Sequence, residues 1–158
     1  PRDRSSQVGF RELPEEWQVK RVGDPEIAII NPEQLPSDTS PDFAFSYIDI
    51  ASIPEPGAAP KIRPLIFGEA PSRARRIVRS GDVIVSTVRP YLRAFTRIRE
   101  PRDNLVCSTG FAVLRPQEYV DSEFLFQYTL SDSFVNYLVR CMEGSNYPAV
   151  KALSLIHI

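Results

Sequence analysis

Fifteen prolines divide this chain into short pieces, and only seven glycines loosen the joints. Proline is present at roughly twice its average usage. It cannot donate to a β-ladder and it breaks helix interiors, so long regular elements are excluded over most of the sequence. What fits between the prolines is a set of short strands joined by stiff loops. The 158 residues are 42% apolar and 25% charged, which is ordinary globular composition and not the signature of disorder. The length suits one domain. No apolar run reaches the roughly 20 residues of a membrane helix, so no membrane partner is expected. The opening at Pro1 has no basic and then apolar leader, so no secretory signal is expected and the expected compartment is the cytoplasm. Cys107 and Cys141 do not make a disulfide framework and read as two buried thiols in a reducing cytosol.

Hydrophobic periodicity assigns most of the elements. Trp17, Val19 and Val22 predict a short strand or extended opening segment, and a second strand is expected around Ile27 to Ile30. FAFSYIDIASI, from Phe43, reads as a strand between two proline-punctuated loops. In RIVRSGDVIVSTVRP, a Ser80-Gly81-Asp82 turn capped by Asp82 precedes the β-branched run Val83, Ile84, Val85, which suits a buried strand. AFTRI is a short alternating strand, and NLVCSTGFAVLRP holds two strands hinged at Gly110. Beyond Pro116 the spacing becomes helical, through Phe124, Leu125, Tyr128, Phe134, Tyr137, Leu138 and Cys141. It predicts helices over about 122–130 and 132–142, with Ser122 and Ser131 as N-caps. Strands followed by helices imply an α+β fold: short, mostly antiparallel twisted strands forming a compact β-rich core, with C-terminal helices packed on it.

The near-neutral net charge of −1 hides an asymmetry. Residues 61 to 102 hold ten arginines and one lysine against Glu69, Asp82 and Glu100, an excess of eight positive charges. The remainder holds 8 basic and 17 acidic groups, an excess of nine negative charges. Solubility alone would be served by lysine; arginine suits bidentate contacts to phosphate and guanine. Around these arginines stand Ser72, Thr87 and Tyr91. If the strand before the Gly81 turn is regular, Arg73 and Arg75 share one face and Arg76 points away. Ser86 and Thr87 then offer hydroxyls to phosphate oxygens. Arg89, Tyr91 and Arg93 alternate along what reads as an extended loop. Two further candidates are Ser108 and Thr109 in STGF, and Asn146 and Tyr147 after Gly144, an expected helix C′ residue. Asn can read adenine, and Tyr can hydrogen-bond phosphate.

No catalytic constellation is visible. One histidine and two cysteines 34 positions apart give no zinc spacing, and GxGxxG, Walker-type and GxSxG motifs are absent. A metal-dependent nuclease needs clustered acids with a lysine nearby, and neither Lys20 nor Lys151 sits in such a cluster. Glu15/Glu16 and Asp121/Glu123 read as surface or cap features.

Taken together and in this order, LPEEWQVKRVGD, FSYIDIASI, GEAPSRARRIVRSGDVIVSTVRPYLRAF, NLVCSTGFAVLRP and EGSNYPAVK resemble a target recognition domain of the DNA specificity subunit of type I restriction–modification systems. The match runs from about Leu13 to Ala152, and its most specific strings are GDVIVSTVRPYLR, STGFAVLRP and GSNYPAV. The resemblance implies a non-catalytic subunit with two recognition domains, each reading one half of a split double-stranded DNA target. It implies partners as well: modification (methyltransferase) subunits and, through them, the restriction (endonuclease) subunit. S-adenosylmethionine and ATP then belong to those partners, and this chain carries no cofactor. The family's basic recognition loops fall on Ser72–Arg76 and Thr87–Arg93, with Ser108, Thr109, Asn146 and Tyr147 on or beside the DNA-facing side. Two other readings stay open: the recognition domain of a fused restriction–methylation enzyme, and a protein-interaction module that binds no DNA.

The expected organisation is a flank over 1–12, one recognition domain over 13–152 and a foreign tail over 153–158. Where the family continues into a spacer helix, this chain reads LSLIHI and stops. CTG TCT CTT ATA CAC ATC, a transposon end used in sequencing libraries, encodes those six residues. The tail is therefore expected to be translated adapter, and the missing initiator Met fits a fragment cut at both ends.

Overall fold

A computed structural model describes residues 16–142. Eight short strands form two four-stranded sheets, and two helices follow. The first sheet holds, from edge to edge, β1 (Ala28–Ile30), β8 (Phe111–Pro116), β5 (Val83–Ser86) and β6 (Phe95–Arg97), all antiparallel. The second runs β3 (Arg63–Ile66), β2 (Ala44–Ile48), β7 (Leu105–Ser108) and β4 (Ala74–Ile77). Its β2–β7 pair is parallel and its other two pairs are antiparallel. The helices are α1 (Ser122–Thr129) and α2 (Asp132–Arg140). The expected α+β architecture is observed.

Side-chain alternation makes this a three-layer structure. In β5, Val83 and Val85 face the helices and pack with Leu125, Phe126, Phe134 and Leu138. Between them, Ile84 points the other way, into a second core with Val113, Phe111, Ile48 and Cys107 between the sheets. The outer face of the second sheet buries Phe45, Tyr47, Val106 and Ala74 beneath Leu35 of the loop after β1. Burial on both faces explains why β5 reads as an unbroken β-branched run. Burial also pushes the Cys107 thiol up to about 12, so it is an unreactive core group, while Cys141 is only half-buried.

Several local expectations are corrected. Residues 17–22 form no strand, and Trp17 and Val19 are exposed. β3 has no counterpart in the sequence reading, because Pro64 interrupts its pattern; it lies at a sheet edge, where proline is tolerated. The N-cap of α1 is Asp121, whose carboxylate accepts from Phe124 N–H at 2.8 Å, and not Ser122. Ser131 caps α2 as expected. The two strands hinged at Gly110 are present as expected; β7 and β8 belong to different sheets, and the turn between them crosses from one layer to the other. Residues 1–15 and 143–158, including the expected tail and the helix exit at Gly144, lie outside the described residues.

Candidate nucleic-acid interface

Strand direction gathers the candidate loops. Ala74 pairs with Ser108 and Ser86 with Phe111, so the start of β4, the end of β5 and the β7–β8 turn meet at one end of the sheets. The loops are bonded to one another there. Thr109 N–H donates to the Arg73 carbonyl at 2.8 Å, and both the N–H and the hydroxyl of Thr87 donate to the Gly110 carbonyl at 2.9 Å. At Gly110 a Cβ would come within 2.8 Å of Ile50 Cδ1, so this turn also abuts the 3-10 turn Ile50–Ser52 after β2. We call this the Gly110 end.

The candidates divide by what their side chains do. Ser72 and Arg73 are exposed on the turn before β4. Arg75 lies at a bulge in β4, with its guanidinium 4.5 Å over the Phe67 ring. Arg76 points to the opposite face, as expected, and is half-buried between the layers, where its Nη1 donates to the Phe111 carbonyl at 2.6 Å. Burial lowers its proton affinity, and no carboxylate lies within 4 Å of it among the described residues. Thr87 and Ser108 are buried, with the Ser108 hydroxyl accepting from Gly110 N–H. The Ser86 hydroxyl donates to the Val88 carbonyl at 2.6 Å. These three hydroxyls therefore shape the turns from within and are not aimed at solvent.

The 89–93 segment is not extended. Pro90–Leu92 is one 3-10 turn bounded by Arg89 and Arg93, both left-handed at φ 46° and 51°. The other left-handed non-glycine residues, Asn31 and Asn104, are of a type that tolerates this conformation. For arginine it costs roughly 1–2 kcal/mol, and strain of this kind concentrates at functional loops. The turn leaves Arg89, Tyr91 and Leu92 exposed. It also directs Arg93 Nη2 onto Asp132 Oδ1 at 2.7 Å, which ties the loop to the first turn of α2. Asn146 and Tyr147 lie outside the described residues.

Three other arginines of the basic block sit at the opposite end. Arg79 meets Glu33 at 2.7 Å, and Arg97 and Arg99 meet Glu123 at 2.9 and 3.2 Å. Arg115 bridges Glu33 and buried Asp82, which also caps the turn by accepting from Arg79 N–H. Hydrogen bonds from Arg79 and then Arg115 hold the Glu33 carboxyl down at about 2. Sequence reading missed this acid-paired network, since Glu33 lies 46 residues from Arg79 and 82 from Arg115. It also missed Lys61 and Arg63, exposed at the start of β3. Among the described residues no helix is long and apolar enough to cross a membrane.

No family model matches the chain, but related proteins and solved structures do. Over 95 residues it is 28% identical to the type I restriction enzyme HindI specificity subunit of Haemophilus influenzae, covering 55% of this chain and 21% of that protein. The crystal structure of the HsdS subunit from Thermoanaerobacter tengcongensis superposes with a TM-score of 0.78 at 37% identity. The match covers 94% of this chain and 38% of that one. A second solved chain, from work on complex assembly and conformational transition of the type I R-M system, gives 0.80 at 37%, covering 93% and 38%. The two proteins named as subunits are type I specificity subunits, and this chain is similar to a part of each relative. The similarity is that expected of a target recognition domain, and the chain spans well under half the length of each relative.

Proposed function

We propose that this chain recognises a sequence in double-stranded DNA and reads one half of a bipartite target within a type I specificity subunit. It contributes binding and no catalysis. Methyl transfer and cleavage, with S-adenosylmethionine and ATP, fall to modification and restriction subunits that it directs in the cytoplasm. The observation that carries this reading is the Gly110 end, where three loops bonded to each other gather Arg73, Arg75, Arg76 and Arg89, and where Arg73, Arg75 and Arg76 have no carboxylate within 4 Å among the described residues. Arg73 and Arg89 supply phosphate contacts, with Ser72, Tyr91 and Thr109 beside them at the base edges. Arg75, Arg76, Arg93, Thr87 and Ser108 hold those loops in place, while Asn146 and Tyr147 remain candidates on the resemblance alone.

The test is binding of labelled duplex DNA, from a random-sequence library, across a salt series. The wild-type chain should bind with an affinity that falls as salt rises. Arg73→Ala and Arg89→Ala should each lower the slope of log affinity on log salt by about 0.9, with the thermal unfolding midpoint unchanged. Salt-independent binding, or none, would favour a protein-interaction module instead.

A further inference from the structure

The start of β3 forms a second basic edge that none of the candidate loops includes. Lys61 and Arg63 are exposed there, and no carboxylate lies within 4 Å of either among the described residues. The nearby acid, Asp49, is half-buried and lines the same groove as Lys61 and Arg63, but it is engaged in its own turn: its Oδ1 accepts from both the N–H and the hydroxyl of Ser52 at 3.0 Å and so caps the 3-10 turn. The Arg63 guanidinium is held 5.7 Å over the ring of its cross-strand partner Tyr47, which limits its freedom before any ligand arrives.

This edge is continuous with the Gly110 end. Lys61 N–H donates to the Ser52 carbonyl at 2.9 Å, and Ile50 of the same turn packs on Gly110. In register, Arg63 stands opposite Tyr47, one residue before the row Ile48, Cys107, Arg76. Three strand spacings separate β3 from β4, roughly 14 Å. The major groove of B-DNA is about 12 Å wide.

We infer that Lys61 and Arg63 each hold a phosphate of the strand across the groove from the one met by Arg73, so that the 108–110 turn lies between backbone contacts on both strands. This rests on the proposed DNA recognition and extends its footprint to β3. The arrangement orients the turn toward base edges from both sides. Contacts of this kind set register and affinity without carrying sequence information.

The experiment uses the full chain and a fluorescein-labelled random-sequence duplex, with anisotropy read from 50 to 200 mM salt. Lys61→Ala/Arg63→Ala should lower the salt slope by about 1.8 and weaken binding roughly tenfold at the low-salt end. Arg63→Gln alone should lower the slope by about 0.9. Circular dichroism checks that each variant is folded. An unchanged slope in the double variant, with the slope lowered by Arg73→Ala, overturns the β3 contact and leaves DNA recognition standing. If the wild-type chain shows no salt-dependent binding, recognition and the β3 contact fall together.

Discussion

Arg115 and Arg76 are both half-buried, one toward each end of the sheets, and they live in opposite surroundings. Arg115 has Asp82 at 2.9 Å and Glu33 at 2.6 Å, and these carboxylates hold its proton more tightly than usual. Arg76 has the Phe111 carbonyl and no carboxylate within 4 Å among the described residues, and burial loosens its proton. A similar contrast separates other arginines of the basic block. Arg79, Arg97 and Arg99 are bound within 3.2 Å by acids at the Glu33 end. At the other end, Arg63, Arg73 and Arg75 have no carboxylate that close among the described residues. An excess of charge along a sequence is thus not one feature: part of it is internal cement, and part faces outward as field. Buried charges are ordinarily paired, which sets the half-buried Arg76 guanidinium apart from that of Arg115.

The sharpest way to break this contrast is to remove the Arg115 charge. Arg115→Met leaves Asp82, only 1% exposed, as a buried carboxylate without its main partner. The expected loss is about 3–5 kcal/mol, read from urea unfolding. A loss below about 1 kcal/mol would mean that the network is a solvated surface cluster and that the two ends do not differ in kind.

Acid should act on the same end. The Glu33 carboxyl titrates at about 2, against an ordinary value of 4.5, so between those values the unfolded chain binds more protons than the folded one. Its contribution is complete above the ordinary value and is lost as pH falls toward about 2. The unfolding midpoint should therefore drop by a few degrees over that window, a modest effect because Glu33 is partly solvated. Glu33→Gln should be less stable at neutral pH and lose less on acidification. Parallel acid limbs for the two proteins would remove Glu33 from the account.

Much of the layering is legible in the sequence, and the reasons are local. The run Val83 to Val85 announces a strand buried on both faces, and the helical spacing after Pro116 announces the two helices. What cannot be read is whatever depends on distant partners. The β7–β8 segment has the look of a hairpin, and only the parallel pairing of β7 with β2 assigns it to two sheets. Arg89, Tyr91 and Arg93 alternate as a strand would, but a proline at the start of a 3-10 turn and two left-handed arginines fold them into a knuckle. The candidate site was legible as a block of arginines. Its division into paired and outward-facing members was not, because Glu33, Asp82 and Glu123 come from three separate parts of the chain.

Arg76 sharpens the comparison from the other side. Arg76→Met keeps the stem in the inter-sheet layer and removes a cation that no carboxylate offsets. Stability should change by only about 1 kcal/mol, the worth of its hydrogen bond to Phe111, in contrast to the large loss at Arg115. Affinity for duplex DNA should still fall, because the positive field at the Gly110 end is weakened. Equal destabilisation by Arg76→Met and Arg115→Met would show that both arginines are structural in the same sense.

The smallest effect is expected at the contact that joins α2 to the Gly110 end. Asp132 is exposed, with a side chain at 90% of its full accessibility, so its ion pair with Arg93 is worth about 0.2–1 kcal/mol at most. Asp132→Asn should leave unfolding nearly unchanged. It should also remove the carboxylate that neutralises Arg93, and so raise affinity for duplex DNA by about threefold at low salt, with the gain fading as salt rises. If affinity falls instead, the Arg93–Asp132 tie is what holds Arg89 and Tyr91 toward the DNA, and the geometry of the knuckle outweighs its charge.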